Sequence, residues 1–311
     1  MNEIRKDSLI DRYVIIASKR SKRPDSYNKY CEKPDEKVCY FCQSNEHLTP
    51  PEIDRIEKGG RWIVRCFPNK FPATSEGKAR RMKGGSMPAV GKHEIIVETP
   101  EHEGKLHQLS TEHMMKVFDM YNRRVEAIGR MSGVRYVSLF KNYGKDAGAS
   151  LYHTHTQIIG VPIVPGLVTE EINASKGRCR ICDIGRQELR GRRRIRSDEN
   201  VIAFAPYASR FPFEACLQPK RHITRLSEMS ESETRSFAKT LQFILKRLDE
   251  LMDCAPYNFY LHQSPKGGNL HLHLELIPKM SILAGFELGS GMYINTMPPE
   301  EAARYYRTGR I

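Results

Sequence analysis

The feature that most restricts this chain is an internal repeat. Cys39-x-x-Cys42 is followed by His102 and then by the run His153-Thr154-His155-Thr156-Gln157, and the second half answers with Cys179-x-x-Cys182, His222 and His271-Leu272-His273-Leu274-Glu275. Smaller marks line up around these anchors. Glu94 precedes His102 as Glu214 precedes His222, a Leu-Ser pair follows each middle histidine, and Cys66 to Pro72 has a loose counterpart in Phe204 to Pro212. A repeat of this kind implies one structural unit built twice, here over residues 1–165 and 166–311.

The pattern within each unit is the same. After Leu109-Ser110 the apolar residues Met114, Val117, Phe118, Tyr121, Val125 and Ile128 recur at helical spacing, which predicts an amphipathic helix over about 111–131. After Leu226-Ser227, Phe237, Leu241, Ile244, Leu248 and Leu251 do the same over about 231–252, with Ser230 and Glu233 as a capping box. Each helix is followed by a β-type run, Val134 to Phe140 and Tyr257 to His262, then a glycine-bearing turn and the His-x-His segment. The expected fold is α+β: an antiparallel sheet with one long packed helix in each half, duplicated in tandem.

Zinc takes tetrahedral sets of cysteine and histidine, and a site with four protein ligands leaves no position open for a reacting water. Cys39, Cys42, His102 and His153 make one such set, and Cys179, Cys182, His222 and His271 a second, so two structural zinc ions per chain are expected. A redox role for the Cys-x-x-Cys pairs is the main rival, but it requires no partner histidines. DNA-reading zinc fingers gather their ligands within about thirty residues, whereas these ligands are dispersed along each half. Cys31, Cys66, Cys216 and Cys254 stand apart and read as buried fillers.

Residues 153, 155 and 157 are expected to alternate along a strand, so that their side chains leave one face. An imidazole whose far nitrogen is held by a hydrogen bond presents its other lone pair as a nucleophile, which makes His155 the candidate. Charge agrees with an anionic ligand: 50 Lys and Arg stand against 37 Asp and Glu, a formal net charge of +13. Basic bursts occur at Lys19 to Arg23, Lys78 to Lys83 and Arg190 to Arg196, without the interleaved aromatics that stack bases, which weighs against a nucleic-acid-binding zinc protein. Without a signal peptide pattern or an apolar run long enough to span a membrane, the protein is expected in the cytoplasm.

The run Gly148-Ala149-Ser150-Leu151-Tyr152-His153-Thr154-His155-Thr156-Gln157 resembles the active-site motif of the galactose-1-phosphate uridylyltransferase family, a branch of the histidine-triad superfamily. Asp11 to Ala17 with Arg20 and Arg23-Pro24, Cys39-Tyr40-Phe41-Cys42, His93 to His102 and Gly285-Phe286-Glu287 also resemble family segments. The resemblance implies two histidine-triad-like domains and a role in galactose and carbohydrate metabolism. It implies that His155 attacks the α-phosphorus of a nucleotide sugar, releasing a sugar 1-phosphate, and that a second phosphate acceptor resolves the nucleotidyl-histidine. Gln157 would then bond the phosphoryl oxygens, with Arg20, Asn69, Asn142, Gly148, Ala149 and Ser150 on the nucleotide. Phe286 and Glu287 would touch the sugar from a neighbouring subunit of a homodimer. For Asn69 and Asn142, taken from the residues alone, turn chemistry is an equal reading.

The pattern also departs. Thr154 stands where the best-known uridylyltransferases have Pro, and many of them lack the second Cys-x-x-Cys. Both differences lean toward a branch that includes ADP-glucose phosphorylase, in which an adenylyl group passes to inorganic phosphate. In the second half Glu275 replaces Gln, so that half reads as catalytically silent. A cluster of Glu171, His262, His271 and His273 resembles a second metal site of some relatives. A zinc hydrolase with an open site is the remaining rival class.

Overall fold

The computed structural model describes residues 2–22, 38–78, 80, 82 and 84–310. Arg23, Pro24, Cys31, Arg81 and Lys83 lie outside the described residues. The first half runs β1 (Glu3–Lys6), β2 (Tyr13–Ile16), β3 (Asp54–Lys58), β4 (Arg61–Pro68), β5 (His93–Val97), α1 (Thr111–Gly129), β6 (Tyr136–Tyr143) and β7 (His155–Val161). The second runs α2 (Gly166–Ala174), α3 (Arg180–Glu188), β8 (Arg194–Ser197), β9 (Val201–Phe204), β10 (Ala215–Pro219), α4 (Glu231–Met252), β11 (Tyr257–His262), β12 (His273–Pro278), α5 (Gly285–Ser290), β13 (Tyr293–Asn295) and α6 (Pro299–Thr308).

The duplication is visible in the strand order. Ten strands form one sheet in the order β3-β4-β5-β7-β6-β11-β12-β10-β9-β8, so either edge read inward gives the same sequence of a hairpin, a third strand, the His-x-His strand and the strand that follows the long helix. The halves meet where β6 pairs antiparallel with β11, Asn142 opposite Asn258 and Tyr143 opposite Tyr257. Joining the two halves this way leaves no open backbone edge at the centre. It also carries β6 past the expected end at Phe140 through Tyr143, because those added residues find partners on β11. A small separate sheet, β1-β2-β13, brings the N-terminal strands beside the C-terminal segment.

Both long helices form as expected and lie on one face of the sheet. The Ser110 hydroxyl accepts from His113 N–H at the start of α1, and Ser230 and Glu233 close a capping box on α4. Met114, Val117, Phe118, Tyr121, Val125 and Ile128 are all buried, as are Phe237, Leu241, Ile244 and Leu248, while Leu251 is half-buried. The helices touch through Phe118 and Phe237, whose ring centroids are 5.7 Å apart, and the two halves share one core. The opposite face carries His93 of β5, Asn142 of β6 and His155 and Gln157 of β7, while Glu94, Lys141 and Thr156 face the helices. Among the described residues no helix is long and apolar enough to cross a membrane. Cys66 and Cys216 are buried as expected, whereas Cys254 is half-buried.

Candidate active site and metal centres

β7 begins at His155, not at His153. His153 therefore does not share the strand face with its neighbours. It precedes the strand, where the chain is irregular and its ring can turn toward the cysteines. Its Nδ1 lies 3.5 Å from Cys39 Sγ and 3.7 Å from Cys42 Sγ, and Cys42 Sγ is 3.3 Å from His102 Nδ1. Sulfur and nitrogen ligands on a tetrahedral zinc are about 3.6 Å apart, from bond lengths of about 2.3 and 2.05 Å. The donor set fits the metal. His153 Nε2 donates to the Thr99 carbonyl at 2.8 Å, which leaves Nδ1 as the free lone pair on the cysteine side.

The second set is assembled likewise. Cys182 Sγ lies 3.4 Å from His222 Nδ1 and 3.2 Å from His271 Nδ1, Cys179 lies 4.0 Å from the latter, and His222 Nε2 faces Asn269 Oδ1 at 2.8 Å. In each set the ligand atoms fall within 4.8 Å of one another. A third cluster differs from the expected Glu171, His262, His271 and His273: it consists of Glu171, His262, His273 and Glu275. His271 has been drawn into the cysteine set ahead of β12, and the strand's alternation puts Glu275 beside His273 in its place.

His155 is 4% exposed, and its Nδ1 donates to the His153 carbonyl at 2.9 Å. That bond fixes the tautomer, so Nε2 carries the lone pair. Burial, reinforced by the Lys141 ammonium, pushes the ring's pKa down to about 4, which keeps it neutral. Phe41 sits against it edge-on at 5.2 Å between centroids and packs on Phe67. The Cys-x-x-Cys segment thus supplies both candidate metal ligands and a wall of the site.

Gln157 points to the same face, and the residue that orients it, His93, was missed as a site residue in the sequence. Ala73 N–H donates to His93 Nδ1 at 3.1 Å, which places the ring's proton on Nε2, and this donates to Gln157 Oε1 at 2.9 Å. The amide oxygen is occupied, so the NH2 of Gln157 is turned outward as a donor. Asn69 Nδ2 lies 3.1 Å from the same His93 nitrogen, and Asn69 Oδ1 accepts from Phe71 N–H. Pairing of His93 with Ile159 across β5 and β7 was the available signal, but register is invisible before the strands are paired.

Asn142 is held at the seam, its Oδ1 accepting from Asn258 Nδ2 at 2.8 Å, and Asn258 also donates to the Ala147 carbonyl. Gly148 lies over Asn142: a Cβ there would stand 3.9 Å from Asn142 Nδ2, and its φ of +82° is one that glycine adopts freely. Ala149 and Ser150 continue that turn toward His153. Arg20 lies in the exposed turn Ser18–Lys22, and Phe286 and Glu287 lie on α5. Among the described residues of one chain, these three make no hydrogen bond or ring contact with His155 or Gln157.

A strand-borne histidine locked in one tautomer and flanked by an outward amide and a Cys2His2 set, with a second such set in the other half, is suited to nucleotidyl transfer. Comparison with known proteins agrees. The family model described as Galactose-1-phosphate uridyl transferase, N-terminal domain, matches residues 1–165, and that for the C-terminal domain matches residues 136–304. Galactose-1-phosphate uridylyltransferase of Thermotoga maritima is 30% identical over 330 residues, covering 100% of this chain and 99% of that protein. ADP-glucose phosphorylase of Arabidopsis thaliana is 28% identical over 327 residues, covering 98% and 92%. The crystal structure of the Arabidopsis ADP-glucose phosphorylase with bound ADP-glucose superposes with a TM-score of 0.85 at 27% identity, covering 99% of each chain. A solved uridylyltransferase gives 0.76 at 29% identity, covering 99% and 98%. The chain belongs to the galactose-1-phosphate uridyl transferase family.

Proposed function

We propose that this protein is a nucleotidyltransferase working by ping-pong through His155, with UDP-glucose and a hexose 1-phosphate as the leading substrate pair. Residues 1–165 form the catalytic half and 166–311 its silent counterpart. The observation that carries the reading is the His155 tautomer: with Nδ1–H bound to the His153 carbonyl, Nε2 is the one nucleophilic atom, and the Gln157 NH2 lies on the same face. Nε2 forms a bond to the α-phosphorus while the bond from that phosphorus to the bridging oxygen breaks, and the sugar 1-phosphate departs with the electron pair. The ring retains its Nδ1 proton throughout, so the positive charge of the adduct is stabilised by the His153 carbonyl. Gln157, Asn69, Asn142, Arg20 and the turn Gly148-Ala149-Ser150 supply donors for the nucleotide's oxygens.

Zinc is the metal that the Cys2His2 sets suit, two per chain, and its contribution when bound is a closed tetrahedral centre that fixes His153. The chain's own part is to place that histidine's carbonyl against the His155 ring. A homodimer is supported by the arm around α5, where Ile282 and Leu288 are 94% and 73% exposed and Phe286 is 45% exposed. Apolar side chains so arranged suit burial against a second copy, where Phe286 and Glu287 would meet the sugar.

A second reading, an ADP-sugar phosphorylase, is favoured by Thr154 between the histidines and by the higher structural similarity to the ADP-glucose phosphorylase. Incubation with UDP-glucose and separately with ADP-glucose, read by intact mass, separates the two. One added nucleoside monophosphate is expected, absent in His155→Ala; turnover of either nucleotide sugar at the wild-type rate by that variant refutes the mechanism.

A further inference from the structure

Behind His155, on the helix face of the sheet, lies an ion pair with no exposure at all. Lys141 on β6 and Glu98 just after β5 are both fully buried, with Lys141 Nζ 2.5 Å from Glu98 Oε2. The ammonium's other two donors go to Thr154 Oγ1 and to the backbone carbonyl of His155, each at 2.8 Å. All three of its protons are thereby used. Thr154 Oγ1 donates to Glu98 Oε2 at 2.8 Å, Thr156 Oγ1 donates to Glu98 Oε1 at 2.5 Å, and Tyr121 OH donates to Oε1 as well. One carboxylate therefore grips the residues on both sides of His155, one oxygen to each, while the lysine holds the carbonyl of His155 itself. The next residue after Glu98, Thr99, receives the His153 ring.

We infer that Glu98, Lys141 and Thr154 are positioning residues for the nucleophile, a buried polar plinth that fixes the backbone from His153 to Thr156 and with it the aim of His155 Nε2. The inference rests on the His155 reading above. A buried ion pair is about as stable as apolar residues of the same shape, so stability alone does not account for it. What an apolar patch would not supply is the directional hold on three successive residues. Thr154 has no ring to restrict its own backbone, and its hydroxyl, tied to both charges, supplies the restraint from outside. Misplacement of a reacting group by about 1 Å costs on the order of 100-fold in rate.

The test uses the full-length, metal-loaded protein and four variants: Thr154→Val, Thr154→Ser, Lys141→Met, and the double variant Glu98→Gln with Lys141→Met, which leaves no unpaired charge if Lys141→Met alone does not fold. Rapid-quench formation of the adduct gives the rate at saturating nucleotide sugar and its half-saturation concentration. Thr154→Val and the double variant are expected to keep both metals and a near wild-type melting temperature while the saturated rate falls by about 100-fold. Half-saturation should stay within a few-fold, and Thr154→Ser should recover most of the loss. Wild-type rates in both, or a loss that tracks metal content or half-saturation instead, overturn the inference. If the wild-type protein forms no adduct, the functional reading fails, and nitrogen-15 spectra of histidine-labelled protein still decide the positioning: one Nδ1–H tautomer for His155 in the wild type and a mixture in Thr154→Val support it, whereas identical spectra overturn it.

Discussion

Gly91 sits where β5 is about to begin, against Gly160 near the end of β7. A methyl group added at Gly91 would stand 1.9 Å from the Gly160 carbonyl oxygen and 2.8 Å from its carbon. Both are backbone atoms, so no rotamer change relieves the clash, and the two segments must part by roughly 1 Å to reach even 3.0 Å. Gly160 N–H donates to the Lys92 carbonyl at 2.8 Å between the same segments, and that bond is strained or lost. Overpacking of about 1–3 kcal/mol and a lost buried hydrogen bond of about 1–3 kcal/mol predict that Gly91→Ala costs about 2–6 kcal/mol. For a chain of this size, with an unfolding entropy of about 2.1 cal/mol/K per residue, that is a melting temperature lower by roughly 3–9 °C. Gly160→Ala provides the contrast: its Cβ would meet only side chains, Ile128 Cγ2 at 2.5 Å and both Val134 methyls at 3.3 Å, which can shift by a few tenths of an ångström without parting the strands, and about 1–3 kcal/mol is expected. Gly166→Ala meets nothing within 4 Å and should be neutral or slightly stabilising at the start of α2. Urea and thermal melts of the three variants measure the order, and adduct formation should suffer most in Gly91→Ala because His93 and Gln157 lie on the parted strands. Gly91→Ala within about 0.5 kcal/mol of the wild type, or less costly than Gly160→Ala, would refute the reasoning.

Three further outcomes follow from named contacts. Cys39→Ser and Cys179→Ser should each remove one metal per chain by elemental analysis and lower the melting temperature, with loss at the first set reducing adduct formation and loss at the second leaving it detectable; unchanged metal content in either variant contradicts the ligand assignment. Burial opposes ionisation of Asp249, but bonds from His107 and Lys105 outweigh it and hold the carboxyl down at about 2. A lowered carboxyl stabilises above its unfolded pKa and loses that contribution as pH falls through the folded value, so Asp249→Asn should cost about 1–2 kcal/mol at pH 7, shrinking between about pH 4 and pH 2. Denaturation at the two extremes checks this, and a pH-independent difference would defeat it. Ile282→Asp with Leu288→Asp should convert a dimer to a monomer by light scattering without lowering the melting temperature of the isolated chain, and an unchanged mass rules out the α5 arm as the interface.

Both metal sets and both long helices were legible in the sequence because their signals are chemical and periodic. Cysteine and histidine in a repeated order announce a shared ligand, and apolar residues at helical spacing announce a buried stripe. The fusion of the halves through β6 and β11 left no such trace, since it is made by backbone groups that every residue carries. The start of β7 was misjudged by one alternation: His153 fits the strand pattern, but two cysteines compete for its ring and win. Lys141 reads in sequence as a polar break in an apolar run, and Glu98 as one more charge after β5; a buried charge differs from a solvated one only by its partners. His93 was hidden for the same reason, its role depending on cross-strand register, whereas Glu275 follows from alternation two residues past His273.

The two halves carry the same backbone device in different surroundings. His273 Nδ1 donates to the His271 carbonyl at 2.9 Å, the same distance as from His155 Nδ1 to the His153 carbonyl, so the backbone device that aims Nε2 is intact in both. The surroundings differ in sign. Burial alone would lower the pKa of His273, but Glu171 and Glu275 outweigh it and raise it to about 9, whereas His155 is held at about 4. His273 also belongs to the third candidate metal cluster, and a proton or a metal ion held there occupies the lone pair that phosphorus would need. A cavity of about 420 Å³ opens beside His273, lined by Glu171, Glu188, Glu214 and Glu275 together with Arg12 and Arg193; Glu188 is paired with Arg193, and Glu214 and Glu275 with Arg210. The second ring thus faces two carboxylates, Glu171 first and Glu275 second, where the first ring faces a neutral amide, while the backbone that aims both rings is the same.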